Sequence, residues 1–172
     1  MWWQPRALVL FAAALAVSAC GFRPLYGTSS TGATAEELAL VKIEPIPDRV
    51  GQQVRNELVD RFNTGQSPAS TRYILYVTLH ESTQQLAVQR NQLATRANYR
   101  LGASYYLVEG GNRLFASSRS VISSYNILSA DFSTLTAAQD AQARAARELA
   151  DAISTSLAIY FGEQRAKKQR AP

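Results

Sequence analysis

Cys20, the only cysteine of this 172-residue chain, is the residue whose position most directly suggests chemistry. One cysteine cannot form a disulfide within its own chain. It follows an apolar stretch, Ala7–Ala19, and a short start with one basic residue, Arg6. A charged start, a short apolar middle and small residues at its end are typical of a secretory signal peptide. As a helix this stretch would be about 20 Å long, which is too short for a hydrocarbon core of about 30 Å. The sequence therefore predicts a signal peptide over residues 1–19.

The residues that lead up to the thiol, Val17–Cys20, resemble the bacterial lipobox, in which small residues precede a cysteine that becomes the first mature residue. This resemblance implies a thioether from Cys20 to diacylglycerol and a fatty acid such as palmitate on the new amino group. Each buried methylene contributes about 0.8 kcal/mol, so two or more acyl chains anchor a protein stably. Gly21 stands where an aspartate would resemble an inner-membrane retention signal. We expect a lipoprotein anchored to the outer membrane on its periplasmic side; the alternative is a plain signal peptide with an unmodified thiol.

Arginines and other polar side chains of the second half of the chain are the remaining candidates for chemistry. They alternate with apolar residues, which places them on one face of predicted strands. The candidate contact residues are Arg90, Arg96, Asn98, Arg100, Tyr106 and Arg119, with Ser104, Ser117 and Ser123 beside them. Tyrosine and arginine dominate the energetics of protein interfaces. The alternative is a solvated sheet face, which is common in antiparallel sheets.

Catalytic and metal-binding patterns are missing from the sequence. The chain has one histidine, His80, and its five aspartates and eight glutamates are scattered. It contains no nucleophile elbow, phosphate-binding loop, dinucleotide-binding pattern or histidine-rich metal spacing. We therefore predict a protein that is not an enzyme and has no cofactor or metal, and we expect His80 to be a surface or interface residue.

The polar residues must be positioned by a regular series of elements. Hydrophobic periodicity and breakers predict a strand over 38–47, a helix over 48–63, strands over 71–89, 93–110 and 113–128, and a helix over 131–161. Asp48 is a plausible N-cap for the first helix, and Gly162 is a natural stop for the second. Gly110 and Gly111 predict a tight hairpin turn. Because helices of this length need an apolar sheet face to cover, we predict an α+β two-layer sandwich, β-α-β-β-β-α, with a mainly antiparallel sheet and two helices.

Several details accompany this fold prediction. Residues 20–37 are expected to form a lipidated leash, ending in a small, polar, mobile segment. A single domain is expected over 38–162, with the last helix burying one face that includes Leu135. The start of the second strand, around Tyr76, is expected to be covered on both faces. The net charge of +5 lies largely in residues 163–172, predicted to be a frayed basic tail that is solvated or touches an anionic membrane. No nucleic-acid-binding motif is present.

The chain resembles the small lipopolysaccharide-assembly lipoprotein family of the Gram-negative outer membrane, in the form found in alphaproteobacteria. The matching segments are 20–27 ("CGFRPLYG"), 46–62, 93–107 and 124–153. The resemblance implies the same β-α-β-β-β-α fold. It also implies a partner, the large outer-membrane β-barrel of the LptD type that delivers lipopolysaccharide to the cell surface, inside which the lipoprotein sits as a plug that helps the barrel to assemble.

The family resemblance also implies binding of lipopolysaccharide, an anion that carries phosphates. Arginine suits phosphate because it forms bidentate hydrogen bonds. Arg90, Arg96 and Arg100 cluster near the predicted hairpin between the second and third strands, and are the candidate contacts. The alternative function is an anchored accessory subunit of another envelope transport complex.

Overall fold

A four-stranded sheet and three helices make up the part of the chain that the computed structural model describes, residues 28–62, 71–87, 94–127 and 130–170. In chain order the elements are α1 (Thr28–Ala39), β1 (Val41–Ile43), α2 (Asp48–Phe62), β2 (Tyr73–Ala87), β3 (Ala94–Glu109), β4 (Asn112–Asn126) and α3 (Asp131–Arg170). The strands lie in the order β1-β2-β3-β4. β1 is parallel to β2, and the other pairs are antiparallel. The predicted α+β class and the three-stranded meander are confirmed.

The chain divides into two units, Met1–Gly32 and Ala33–Pro172. In the first unit the structure describes only residues 28–32, which are helical. The second unit contains the sheet, α2, α3 and the apolar core.

A two-residue turn sets the register of the β3–β4 hairpin. Gly110 and Gly111 connect the strands with φ angles of 55° and 87°, a region that glycine enters without steric cost. The predicted glycine turn is therefore confirmed. Just after it, Leu114 is the extra residue of a β-bulge, since Val108 pairs with Arg113 and Leu107 with Phe115.

The core lies between one face of the sheet and the helices α2 and α3. On β3 the buried side chains alternate as the sequence predicts: Ala97, Tyr99, Leu101, Ala103, Tyr105 and Leu107. On α2 the predicted stripe is also buried: Val50, Val54, Leu58 and Phe62. Burial of these apolar side chains is the main stabilising contribution, at about 25 cal/mol per Å². Arg61 joins the two helices, because its guanidinium donates to the Glu57 carboxylate at 2.7 Å and to the Arg147 carbonyl at 3.2 Å.

The N-terminal boundary of the fold differs from the prediction. Residues 28–39 are not a leash segment but the helix α1, which the alanines and glutamates of this stretch favour. β1 is consequently short: the predicted strand over 38–47 is observed only at Val41–Ile43. Pro45 and Pro47 end it, because proline cannot donate to a strand ladder. The helix α2 begins at Asp48 as predicted, and the φ of 66° at this residue lies in the left-handed region, outside the helical range.

The last helix is longer than predicted. α3 continues through Gly162 to Arg170, so the interpretation of residues 163–170 as a frayed tail is wrong. The eight residues that follow Gly162 are mostly strong helix formers, and cations in the last turn interact favourably with the helix dipole. At the other end of α3, Leu135 is 55% exposed and Phe132 is 79% exposed, which corrects the prediction that Leu135 lies in the core. β4 ends at Asn126, so the first turns of α3 have no β4 residue to pack against.

Candidate interaction surface

The sheet face opposite α2 and α3 has no helix over it within the described residues, and we call it the uncovered face. Seven cross-strand rungs make it up, each with one residue from β2, β3 and β4. The rungs are Ile74, Val108 and Arg113; Tyr76, Tyr106 and Ala116; Thr78, Ser104 and Ser118; His80, Gly102 and Ser120; Ser82, Arg100 and Ile122; Gln84, Asn98 and Ser124; and Leu86, Arg96 and Asn126. Three arginines and no carboxylate occur among them, so this face is cationic.

Aromatic rings and a guanidinium are stacked at the turn end of the uncovered face. The rings of Tyr76 and Tyr106 are parallel to within 15°, with centroids 4.9 Å apart. The Arg113 guanidinium carbon lies 4.4 Å from the Tyr106 ring centroid, a cation–π distance. Tyr76 is 37% exposed, so the expectation that the start of β2 is covered on both faces is wrong. The candidate set did not include Tyr76 and Arg113; strand alternation and the position of Arg113 just after the turn are the signals that place them here.

Arg96 and Arg100 lie at the opposite end of the same face. Both are exposed, and they flank the half-buried Asn98 on β3. The Ser124 hydroxyl donates to the Asn98 side-chain oxygen at 2.7 Å, which fixes the amide between the two cations. At about 3.3 Å per residue, the two arginine Cα atoms are separated by about 13 Å. The predicted grouping of Arg96, Asn98, Arg100 and Tyr106 on one face is therefore observed.

Arg119 does not belong to this surface, which corrects the sequence interpretation. Arg119 pairs with Ala103, whose side chain is in the core, so both residues point to the helix side of the sheet. Its Nη2 donates to the Ser156 hydroxyl of α3 at 3.3 Å. Ser117 and Ser123 share this parity and lie on the same side. The bulge at Leu114 shifts the alternation of β4 relative to the turn, and the sequence pattern does not reveal that shift.

Two predicted sites lie outside the described residues. Arg90, in the connection between β2 and β3, is one, and Cys20 is the other. Both remain predictions.

A shallow depression marks the centre of the uncovered face. It is lined by residues of two rungs of this face, His80, Gly102, Ser104, Ser118 and Ser120, together with Ala103 and Arg119, whose side chains lie on the helix side. Gly102 supplies no side chain here, and a Cβ built on it would be 3.7 Å from the His80 carbonyl oxygen and 3.8 Å from the Ser120 Cβ. The hydroxyls of Ser104, Ser118 and Ser120 surround the gap at Gly102. They can form hydrogen bonds at the centre of the face, between the end that carries Arg113 and the end that carries Arg96 and Arg100.

Two tyrosines on the helix side have perturbed acidities. Burial, and then a hydrogen bond to Glu81, raise the pKa of Tyr99 well above its ordinary value. That hydrogen bond, from the hydroxyl to Glu81 Oε2, measures 2.6 Å. Burial, and then a hydrogen bond to Glu37, raise the pKa of Tyr73 to about 12. Both phenols therefore stay protonated near neutral pH and act as structural donors.

Across residues 28–62, 71–87, 94–127 and 130–170, no group of three histidine, cysteine or carboxylate side chains is placed to hold a metal ion. Over the same ranges, every helix falls short of the combined length and apolarity that crossing a membrane would require.

Solved structures of bacterial lipoproteins share this fold. A lipoprotein of Caulobacter crescentus superposes with a TM-score of 0.64 at 24% identity, covering 77% of this chain and 97% of that one. Rare lipoprotein B of Shewanella oneidensis gives 0.57 at 11% identity, with 73% and 96% covered. Lipoprotein B of Nitrosomonas europaea gives 0.51 at 11% identity, with 70% and 81% covered. At these identities the likeness establishes the fold alone.

Family membership comes from the sequence match. No curated protein sequence matches the chain. The family model for LptE, lipopolysaccharide-assembly, matches residues 35–157, from the end of α1 to most of α3. This family acts in lipopolysaccharide assembly and is not enzymatic, which confirms the prediction that the chain is not an enzyme. Because the match spans the whole sheet, α2 and most of α3, the protein belongs to the LptE family of lipopolysaccharide-assembly lipoproteins.

Proposed function

We propose that the protein is an outer-membrane plug and assembly factor for the β-barrel translocon of the LptD type, and that it assists insertion of lipopolysaccharide into the outer leaflet. Membership of the LptE family supports the general role in lipopolysaccharide assembly. The observation that carries the finer proposal is the uncovered face, which leaves a whole side of the sheet without a helix, with three arginines and no carboxylate over its seven rungs.

The chemistry of that face suits a barrel interior. The lumen of an outer-membrane barrel is polar, so a plug must present hydrogen-bonding side chains on a rigid support. The uncovered face supplies hydroxyls and amides on a sheet that is fixed from behind by the core. Tyr76, Tyr106 and Arg113, already stacked on one another, are of the residue types enriched at interfaces. The stacked end is therefore the part of the face that we expect to contact the barrel wall most tightly.

The other end of the face suits phosphate. Arg96 and Arg100 are exposed, and among the described residues neither guanidinium has a hydrogen-bond or ion-pair partner. Each can offer a two-pronged donor to a lipopolysaccharide phosphate. A hydrogen bond to a charged group contributes about 1.5–3 kcal/mol, so loss of both arginines should weaken binding at least about tenfold.

A binding experiment tests this end. The variant Arg96→Ala/Arg100→Ala is compared with Arg49→Ala/Arg147→Ala, which removes two arginines from the helices and so loses the same charge. Binding of purified lipopolysaccharide is measured by fluorescence titration at one fixed salt concentration. We expect the first variant to lose at least about tenfold in affinity and the control to stay within about twofold of the parent. Equal affinity of all three proteins would remove Arg96 and Arg100 as lipid contacts.

The membrane anchor is part of the proposal. Cys20, carrying a thioether-linked diacylglycerol and an acylated amino group, is proposed to anchor the chain to the outer membrane on its periplasmic side. Intact mass spectrometry of the mature protein tests this, with Cys20→Ala as the comparison. An unmodified thiol in the mature chain would contradict the proposed anchoring.

Purification with the partner decides between this function and the alternative of an accessory subunit in another envelope complex. We expect the full-length lipoprotein, extracted in mild detergent, to co-purify with an LptD-type barrel in equal amounts. Depletion should retain lipopolysaccharide below the cell surface and increase permeability to bulky drugs. Co-purification with a different transport complex, without the barrel, would favour the accessory-subunit function instead.

A further inference from the structure

β2 is paired on its outer edge over only a small part of its length. β1 pairs with Tyr73, Ile74 and Leu75, while β2 itself continues to Ala87. Pro45 and Pro47 then lead the chain away into α2. Within the described residues, no other strand lies on this side of β2. The outer edge beyond Leu75 is therefore an open strand edge.

The backbone groups that face this open edge can be identified. The Tyr73 N–H donates to the Leu40 carbonyl, and the Leu75 carbonyl accepts from the Glu44 N–H at 3.1 Å. Alternate residues of a strand direct both backbone groups to the same side. The odd-numbered residues that follow Leu75 therefore direct their N–H and C=O groups outward: Val77, Leu79, Glu81, Thr83 and Gln85. The even-numbered residues bond to β3.

The distal half of β2 is also bare on its two faces. Every side chain from His80 to Gln85 is exposed, although all six residues lie inside a strand. On the neighbouring strand, Ala97 and Tyr99 are buried beneath the helix layer, so the helices cover β3 but not this part of β2. Natural proteins usually protect exposed edges with proline, lysine, bulges or inward-pointing charges. Between Val77 and Gln85, β2 has no proline, lysine or bulge, and its one charge, Glu81, lies on the helix side, where it accepts the Tyr99 hydrogen bond at 2.6 Å.

The opposite edge of the sheet shows such protection. Arg119 on β4 points inward, and its Nη1 donates to the Ser118 carbonyl at 3.0 Å. Arg144 on α3 donates to the Ser124 carbonyl at 3.2 Å. Ser118 and Ser124 have the same parity in an uninterrupted register, so both carbonyls point to the same side of β4. A bulge at Leu114 adds further irregularity. One edge is blocked by guanidinium groups, and the other is left free.

A cavity of about 280 Å³ lies where β1 stops along the open edge of β2. It is lined by Pro47, Asp48, Val77, Thr78, Leu79 and Glu81. Two carboxylates and no cation belong to this lining. A strand added to β2 here would place one side chain in the cavity, and charge complementarity favours a lysine or arginine at that position.

From these observations we propose that the open edge of β2, from Val77 to Gln85, is a strand-addition site for an extended segment of the barrel partner that carries a basic residue next to Asp48 and Glu81. Main-chain hydrogen bonds to an exposed edge supply affinity in this recognition mode, and alternate side-chain pockets supply specificity. The identity of the partner rests on the proposed function; the existence of the site rests on the edge itself.

Hydrogen exchange of the complex tests the proposal directly. The full-length lipoprotein is measured alone and bound to the co-purified barrel protein. We expect exchange of the outward amides of Leu79, Glu81, Thr83 and Gln85 to slow at least about tenfold in the complex, because new strand hydrogen bonds protect them. Unchanged exchange over residues 77–87 in an intact complex would overturn the strand-addition site and leave the proposed function standing. Failure of the barrel to co-purify would overturn both.

A pair of Thr83 variants supplies the matched control. Thr83→Pro removes one outward N–H from β2 without losing a ladder bond to β3, and Thr83→Ala removes the same side chain but keeps that N–H. We expect Thr83→Pro to lower the yield of the complex about tenfold and Thr83→Ala to leave it within about twofold, with thermal unfolding showing that both are folded. Equal yields would overturn the site, as would concentration-dependent protection of 77–87 in the isolated lipoprotein, which would assign the edge to a second copy of the chain. Should Thr83→Pro fail to fold, the exchange experiment on the unsubstituted protein decides.

Discussion

The Tyr73 hydroxyl on β2 donates a hydrogen bond of 3.1 Å to Glu37 Oε2 on α1. The Tyr73 ring also packs against Phe161 of α3, with centroids 5.1 Å apart. One tyrosine therefore connects an early helix, the sheet and the last helix. This is why the folded domain begins before the first strand rather than at it.

The raised pKa of Tyr73 predicts a loss of stability at high pH. The folded-state pKa of about 12 lies above the ordinary value of 10.0, so the folded protein binds the phenol proton more tightly than the unfolded chain does. This contribution is complete below pH 10 and is lost as the pH rises toward 12. We expect the free energy of unfolding to fall between pH 10 and 12, and Tyr73→Phe to reduce that slope. Urea unfolding at a series of pH values measures it, and an equally steep slope in the variant would contradict the assignment.

We predict that a methyl group added at Gly51 destabilises the folded protein. A Cβ at this position would lie 2.8 Å from Ile46 Cγ2 and 3.0 Å from the Ile46 carbonyl oxygen. Because Ile46 is only 1% exposed and cannot easily move, Gly51→Ala should cost about 1–3 kcal/mol.

Gly162→Ala is the matched control for Gly51→Ala. Apart from its chain neighbours and the backbone of its own helix, no atom of the described residues lies within 4 Å of a Cβ placed at Gly162, which is inside α3. Alanine should therefore stabilise the helix by about 0.5–1 kcal/mol. Denaturant unfolding of both variants checks the pair; a destabilised Gly162→Ala would argue against a helix that continues through this residue.

We predict that removing the hydroxyl of Tyr105 and removing that of Tyr99 change the stability of the protein in opposite directions. The Tyr105 hydroxyl is buried without a hydrogen-bond partner among the described residues. Tyr105→Phe should therefore be neutral or stabilise the protein by about 1 kcal/mol, since a buried unpaired polar group is costly. Tyr99→Phe loses the hydrogen bond to Glu81 and should destabilise by about 1 kcal/mol. Thermal unfolding compares the two, and equal melting temperatures would contradict this difference.

Because guanidinium groups occupy two outward carbonyls of β4, we predict that removing them promotes self-association. Arg119→Ala/Arg144→Ala frees the Ser118 and Ser124 carbonyls to accept from a second chain. We expect the dimerisation constant to increase at least about tenfold, measured by sedimentation velocity. Arg49→Ala/Arg147→Ala, which loses the same charge elsewhere, should remain monomeric to the same degree as the parent. If both variants associate equally, net charge rather than edge protection is responsible.

The sequence by itself determined the order β-α-β-β-β-α, the antiparallel meander of three strands and the faces that they bury. Alternation on β3 identified the buried side chains from Ala97 to Leu107, because a strand repeats every two residues and one face must be covered. The four-residue repeat identified the buried stripe of α2, and the Gly110–Gly111 pair identified the hairpin turn. These are local rules of backbone geometry, and local residues are sufficient to express them. The grouping of Arg96, Asn98 and Arg100 on one face followed from the same alternation.

Features that depend on neighbours distant in sequence were decided only by the tertiary structure. A bulge at Leu114 reversed the face of Arg119, and the contact with Ser156 then fixed it against α3. The helix at Thr28–Ala39 contacts the sheet through the hydrogen bond between Glu37 and Tyr73. At the other end of the fold, β4 ends at Asn126, and Leu135 of α3 is exposed. The two edges of the sheet differ for the same reason: β1 is too short to cover β2, while Arg119 and Arg144 happen to reach the carbonyls of β4. Register, element length and side-chain reach in three dimensions set these outcomes, and no periodicity along the chain encodes them.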